Sequence, residues 1–259
     1  MSRQIAPGRE LADLLAAPAV LELPSICDPL GARAAVDAGY RALALPAYAV
    51  GAHLPPGAEL SPTAAAETVR RIHAVSGVPL VVDTDAAWDG GDNLAAALRR
   101  LAAAGAAGVQ LSSRYLPDGA PLEGGDVRRR THDALMDRVG VAVDAASGMV
   151  IAARYDVDTD DGYAVTLERG AALLAAGADA LLLQSANQSV LARLAADLPA
   201  ARLIYASNPA RPCQPAVYPP QILQGWGFAA VSNKYHRCYC ARATEFARDT
   251  RQPHVAGKG

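Results

Sequence analysis

The chain has 259 residues, a formal net charge of −2 and 19% charged residues. A chain of this length can bury a large core without disulfide or metal staples. The near-neutral balance leaves no basic footprint for nucleic acid or an anionic membrane surface. No apolar run reaches the ~18 residues that a membrane-spanning helix needs. The opening "MSRQIAPGRELADLL" lacks an apolar stretch followed by a small-residue cleavage site, so no signal peptide is expected. Cys27, Cys213, Cys238 and Cys240 are few and unevenly spaced, which fits free thiols in a reducing, cytoplasmic setting.

Taken in order, short apolar runs recur: "VLEL" (20–23), "ALAL" (42–45), "PLVV" (79–82), "GVQL" (108–111), "MVIAA" (149–153), "ALLL" (180–183), "RLIYA" (202–206) and "FAAV" (228–231). Each reads as a buried parallel strand. One phrase introduces several of them: "DAGYRALAL", "AAGAAGVQL", "AAGADALLL" and "GWGFAAV". A helix ends, a glycine takes the left-handed closing position, and a strand begins. Amphipathic segments lie between the runs. Leu94, Leu98 and Leu101 share a face, with Asn93 placed to cap the helix start. Ala164, Leu167, Ala171 and Leu174 form a second stripe.

Eight strand–helix units predict a single-domain (β/α)8 TIM barrel with a closed parallel sheet, followed by a flexible tail at 250–259. The competing doubly wound sheet would carry a glycine-rich phosphate loop after its first strand, and "ELPSICDPLGAR" does not match one. A barrel places its chemistry at the carboxyl ends of its strands. The residues there include Asp28, Pro46 to Tyr48, Asp83, Asp85, Ser112 to Arg114, Arg154, Asp156, Gln184, Ser185, Asn208 and Ser232 to His236. The segment "VPLVVDTDAAWDGGDN" is the most pointed: an apolar strand ends in two carboxylates one residue apart.

Two metal motifs fail on spacing. "DVDTDDGY" has its glycine one place late for a calcium loop and Leu167 where a Glu is required. In "HRCYC", Cys238 and Cys240 point to different sides of a helix, and no second ligand pair follows.

"LPSICDPLGARAAVDAGYRALALPAYAVGAHL", "PLVVDTDAAWDGGDN" and "MVIAARYDVD…ERGAALLAAGADALLLQS", in that order, resemble the isocitrate lyase/phosphoenolpyruvate mutase superfamily from about residue 15 to about residue 235. The resemblance implies an enzyme acting on a small oxoacid or hydroxyacid through an enolate-like intermediate, most simply a carbon–carbon lyase. It implies Mg²⁺ held by Asp83 and Asp85, partly through water, as suits a hard cation. Arg154 would clamp a carboxylate with its planar fork. Pro46, Ala47 and Tyr48 would line an oxyanion pocket. Placement at strand ends puts Ser112, Gln184 and His236 at the mouth, and His53, the only imidazole on the loop 53–62, is the candidate for proton transfer. A homo-oligomer, tetramer or dimer, with an exchanged last helix is also implied.

The departures fall on the loops. Ser112-Ser113 stands where the family has Glu-Asp. The loop "SRYLPDGAPLEGG" has none of the Cys, Lys or His of the lyases' acid/base loop, and Glu59 is the only carboxylate on the gating loop "HLPPGAELSP". A carbon–phosphorus mutase or hydrolase, and a non-catalytic barrel serving as a binding or assembly module, are the alternatives. The enzyme readings part from the non-catalytic one on whether Asp83, Asp85 and Arg154 converge on one cavity.

Overall fold

The computed structural model describes residues 7–47, 61–84, 88, 91–115, 128–146, 148–157, 162–184, 187–207 and 218–233. Its elements are α1 (Pro7–Leu15), β1 (Leu21–Pro24), α2 (Pro29–Asp37), β2 (Leu43–Leu45), α3 (Pro62–Ser76), β3 (Leu80–Asp83), α4 (Gly91–Ala103), β4 (Gly108–Ser112), β5 (Arg114–Tyr115), β6 (Arg128–Arg129), α5 (His132–Ala145), β7 (Val150–Asp156), α6 (Tyr163–Ala175), β8 (Ala180–Gln184), α7 (Gln188–Asp197), β9 (Arg202–Ser207), α8 (Pro220–Gly225) and β10 (Ala230–Asn233).

Eight strands form one parallel sheet in the order β1-β10-β9-β8-β7-β4-β3-β2. The seam between its first and last members is drawn together by a parallel bridge, Ser25 to Ala44, with the Ile26 N–H donating to the Ala44 carbonyl at 2.9 Å. The result is the expected barrel. Every predicted strand is present, within two residues of its predicted bounds except that β7 runs on three residues beyond its predicted end. The repeated helix-closing glycines take the left-handed conformation, with φ of 91° at Gly39, 100° at Gly105 and 105° at Gly177.

Strand alternation divides the core. One face of the strands carries Leu45, Val82, Val109, Leu111, Ala153, Tyr155, Leu181, Leu183 and Tyr205 outward against the helices. The other face carries Leu23, Val81, Val150, Ala152, Ala180, Leu182, Ile204 and Ala230 inward. The inner cluster includes Leu11, Leu14 and Leu15 of α1, so this helix plugs the floor of the barrel. Gly108 makes room for it: a Cβ there would lie 2.8 Å from Leu11 Cδ2.

Three local expectations need correction. Asn93 does not cap α4; that helix starts at Gly91, and Asn93 lies inside its first turn, exposed. The buried face of α6 is Thr166, Gly170 and Leu173, while Ala164 and Ala171 face solvent. The helix turns this way because Tyr155 reaches it: its hydroxyl donates to the Thr166 carbonyl at 3.3 Å, and a Cβ on Gly170 would lie 2.5 Å from that oxygen. Finally, β5 and β6 form a small antiparallel pair above β4 that the apolar pattern did not announce.

No helix among the described residues is long and apolar enough to cross a membrane.

Candidate functional site

Side chains that point inward change character along the barrel. At the floor they are small or apolar; toward the carboxyl ends they turn polar. Of the eleven buried polar or charged residues among those described, seven face inward on the strands or just beyond them: Ser25, Asp83, Gln110, Ser112, Arg154, Gln184 and Ser232. A cavity of ≈ 370 Å³ of empty space, part of it open solvent, is lined by four of them and by residues of all eight strands; Ser112, Arg154 and Gln184 are not part of its lining. Its polar lining is Ser25, Asp83, Gln110 and Ser232; Pro46 also faces it, and Leu23, Val81, Ala152, Leu182 and Ile204 are among its apolar walls.

Asp83 is the last residue of β3, only 7% exposed. The residue after it explains the strand end. Thr84 is fully buried and turned to the neighbouring strand, where its N–H and Oγ1 both donate to the Gln110 carbonyl, at 3.1 and 2.8 Å. The threonine pins the end of β3 to β4.

Arg154 sits on β7 between Ala153 and Tyr155, which pack outward, so it points inward at 5% exposure. Its Nη2 donates to Gln184 Oε1 at 2.5 Å. A charge-assisted bond of this kind orients the guanidinium before any ligand arrives. Asp83 on β3 and Arg154 on β7 are separated in the sheet by one strand, β4. Ser112 lies on that strand directly across from Arg154. The Ser112 hydroxyl oxygen accepts the Arg114 N–H at 3.0 Å, which ends the strand and leaves its O–H as a donor.

The remaining expectations sort as follows. Gln184 stands inward as Arg154's partner. Pro46 lines the cavity, whereas the Ala47 side chain turns away into the outer core. Asp28 serves as the N-cap of α2, accepting the Gly31 N–H at 2.6 Å. Trp88, 8% exposed, packs in the outer core. Tyr48, His53, Asp85, His236 and residues 158–161 of "DVDTDDGY" lie outside the described residues. Sequence reasoning missed Ser25 and Gln110. The signal for Gln110 was present: it is the one polar residue within the run "GVQL", in register with Asp83.

No group of three or more His, Cys, Asp or Glu that could hold a metal is found among the described residues. The donor chemistry nevertheless suits a hard, hydrated cation: Asp83 offers carboxylate oxygens, and hydroxyl and amide groups flank it in the cavity.

A parallel eight-stranded barrel with a polar, buried mouth over an apolar floor has the design of the barrel enzymes. Comparison with known proteins makes this specific: the chain belongs to the phosphoenolpyruvate phosphomutase family, which it matches over residues 11–249, and so to the phosphoenolpyruvate mutase/isocitrate lyase superfamily. Among curated relatives it is 28% identical to a 2-methylisocitrate lyase of Bacillus subtilis (strain 168) over 68% of this chain and 60% of that protein. It is 31% identical to an oxaloacetate decarboxylase of Paraburkholderia xenovorans (strain LB400), over 84% of this chain and 74% of that one. The fold matches a structure of oxaloacetate acetylhydrolase in complex with the product oxalate, with a TM-score of 0.78 at 22% identity, covering 98% of this chain and 90% of that one. It also matches a structure of 2,3-dimethylmalate lyase, with a TM-score of 0.78 at 19% identity, covering 99% and 91%.

Proposed function

We propose that this protein cleaves or forms a carbon–carbon bond in a small oxoacid or hydroxyacid, with Arg154 clamping a substrate carboxylate. The observation that carries the reading is a buried acid and a buried guanidinium at one barrel mouth, with a single strand between them. Two strand spacings of about 9–10 Å combine with a register offset of two residues, about 6–7 Å, to set the two Cα atoms about 11–12 Å apart. Both side chains project into the barrel interior, which suits a short acid, with its carboxylate at Arg154 and the reacting oxygen near Asp83. Burying a guanidinium is costly unless it is hydrogen-bonded and charge-compensated. Gln184 meets the first need, and the planar guanidinium suits a substrate carboxylate.

In this reading Asp83, together with Asp85, would hold Mg²⁺, which when bound supplies charge stabilisation for an enolate-like oxygen. Ser112 has replaced a family acid, so the ion is held weakly without substrate and better with it. His53 is the proposed proton handler, and Tyr48 and His236 complete the mouth.

The test is a thermal-shift and calorimetric screen of small oxo- and hydroxyacids, with and without Mg²⁺. Arg154→Ala removes a buried charge-assisted contact worth roughly 3–5 kcal/mol, or about two to four decades in affinity or kcat/KM. Arg154→Lys restores only part of it, because an ammonium cannot reproduce the planar fork. If wild type and Arg154→Ala show the same shift with every acid that binds, the clamp is wrong and a non-catalytic barrel becomes the better reading.

A further inference from the structure

The barrel is paired unevenly around its circumference. Seven of its junctions match three to five residues in register, whereas β1 and β2 meet at one pair, Ser25 with Ala44. The sequence dictates this. Along a parallel strand, alternate residues aim their N–H groups at the same neighbour. In β1 the Leu21 N–H donates to the Ala229 carbonyl ahead of β10, and beyond the strand the Ile26 N–H donates to the Ala44 carbonyl of β2, both at 2.9 Å. Even-numbered residues here therefore face β2, and Pro24 is one of them. The Leu43 N–H of β2 donates to the Pro79 carbonyl ahead of β3 at 2.9 Å, so even-numbered residues there face β1. Pro46, directly after β2, is one of those.

Proline has no N–H and removes one rung from a ladder. In this register the rung below the bridge would run from residue 24 to the Ala42 carbonyl, and the rung above it from residue 46 to the Ile26 carbonyl. Pro24 deletes the first and Pro46 the second. Two prolines on facing strands thus confine the junction to its single pair. The same junction walls the cavity: Leu23, Ser25, Ala44 and Pro46 all line it. Ser25 Oγ, at the bridge itself, is buried with no hydrogen-bond partner among the described residues, so no side-chain bond reinforces the bridge from within.

We infer that the β1–β2 seam is the yielding wall of the cavity: it opens locally while the other seven junctions stay paired, and the cavity widens on that side. A junction with one bridging pair gives way at a lower free energy than one with three to five, because fewer buried hydrogen bonds break. A ligand too broad for the closed barrel is received between Ser25 and Ala44. Asp83 and Arg154 keep their separation meanwhile, because β3, β4 and β7 remain joined. The inference stands apart from the acid-binding reading, and its test needs no ligand.

Amide hydrogen exchange, resolved to single residues by fragmentation mass spectrometry, compares three buried N–H groups. Ile26 crosses the seam, Leu43 ties the far edge of β2 toward β3, and Thr84 donates to the Gln110 carbonyl at 3.1 Å at the carboxyl end of β3. Their residues are 1%, 0% and 0% exposed, so burial does not distinguish them. After correction for intrinsic rates, Ile26 is expected to be at least about tenfold less protected than the other two. Pro24→Val supplies the missing N–H below the bridge and Pro46→Ala the one above it. Each is expected to raise Ile26 protection about three- to tenfold, with Thr84 unchanged. The two substitutions lie on different strands, so misfolding of one leaves the other to decide, and the wild-type comparison requires neither. Equal protection of the three groups in wild type overturns the yielding wall. So does a Leu43 as poorly protected as Ile26, which means that β2 frays as a whole, and so does an Ile26 protection that neither variant changes.

Discussion

The floor of the barrel makes a sharp mechanical prediction. Gly8, in the first turn of α1, is buried, and a Cβ placed there would lie 1.7 Å from the Gly148 carbonyl oxygen and 3.1 Å from that of Ala107. Both obstacles are backbone and cannot rotate aside. Gly8→Ala must therefore lift α1 away from the strand ends, which withdraws Leu11, Leu14 and Leu15 from the inner cluster; these are 0%, 6% and 3% exposed. Full burial of such a side chain contributes roughly 1.5–3 kcal/mol. A partial lift that loosens all three should then cost about 3–5 kcal/mol. At about 2–4 °C per kcal/mol for a chain near this size, the melting temperature should fall by roughly 10 °C. The control is Gly140→Ala in α5, where nothing lies within 4 Å of the added carbon. It should stabilise by about 0.5–1 kcal/mol through helix propensity alone. Scanning calorimetry and urea unfolding on both variants read the difference. A Gly8→Ala protein that melts with wild type would show that α1 does not plug the barrel.

Two further outcomes follow from the structure and the family. The Tyr163 hydroxyl donates to Asp197 Oδ2 at 2.5 Å beneath the Arg193 guanidinium, which lies 3.8 Å from the ring centroid. Partial burial, then the bond to and charge of Asp197, push its pKa up to about 12. The folded state thus holds this proton more tightly than the unfolded chain does, so its contribution to stability is complete below pH 10 and is lost as pH rises through about 12. Absorbance titration of tyrosinate should show this late group, and Asp197→Asn should bring it back toward 10.0, the ordinary value; an unchanged midpoint would refute the coupling. We also propose that the protein is a homo-oligomer, tetramer or dimer. Sedimentation equilibrium should then give a multiple of 26.7 kDa, and the monomer mass alone would reject it.

The strands were legible because parallel strands buried on both faces read as unbroken apolar runs. Helix faces were harder to read where alanine dominates. Ala164 and Ala171 carry no strong preference for core or solvent, and the true inner face of α6 includes Gly170, whose value lies in making room for Tyr155. The plug was invisible for a related reason. "GRELADLL" looks like any amphipathic helix, and only the three-dimensional position of Gly108 shows that Leu11 enters the barrel. At the mouth, Asp83 and Arg154 were found because charges at strand ends stand out. Ser25 and Gln110 were passed over because a single neutral polar residue beside a buried strand resembles noise until its face is known.

The bounds of the mouth are set by β4, and the β5–β6 pair fixes the end of that strand. The Ser113 N–H donates to the Arg154 carbonyl at 2.9 Å, and the Arg130 N–H donates to the Ser113 carbonyl at 2.7 Å. Arg130 Nη1 donates to the carbonyls of Ser112 and Arg114, at 3.2 and 3.1 Å, while its guanidinium lies 4.3 Å from the centre of the Tyr115 ring. On the other side Thr84 ties the end of β3 to the Gln110 carbonyl. The strand that separates the acid from the guanidinium is therefore held on both flanks by hydrogen bonds that involve neither Asp83 nor the Arg154 side chain. Such an arrangement lets the side chain of Ser112 change without disturbing the separation of Asp83 and Arg154. The backbone geometry that aims those two residues is kept by contacts outside their own side chains.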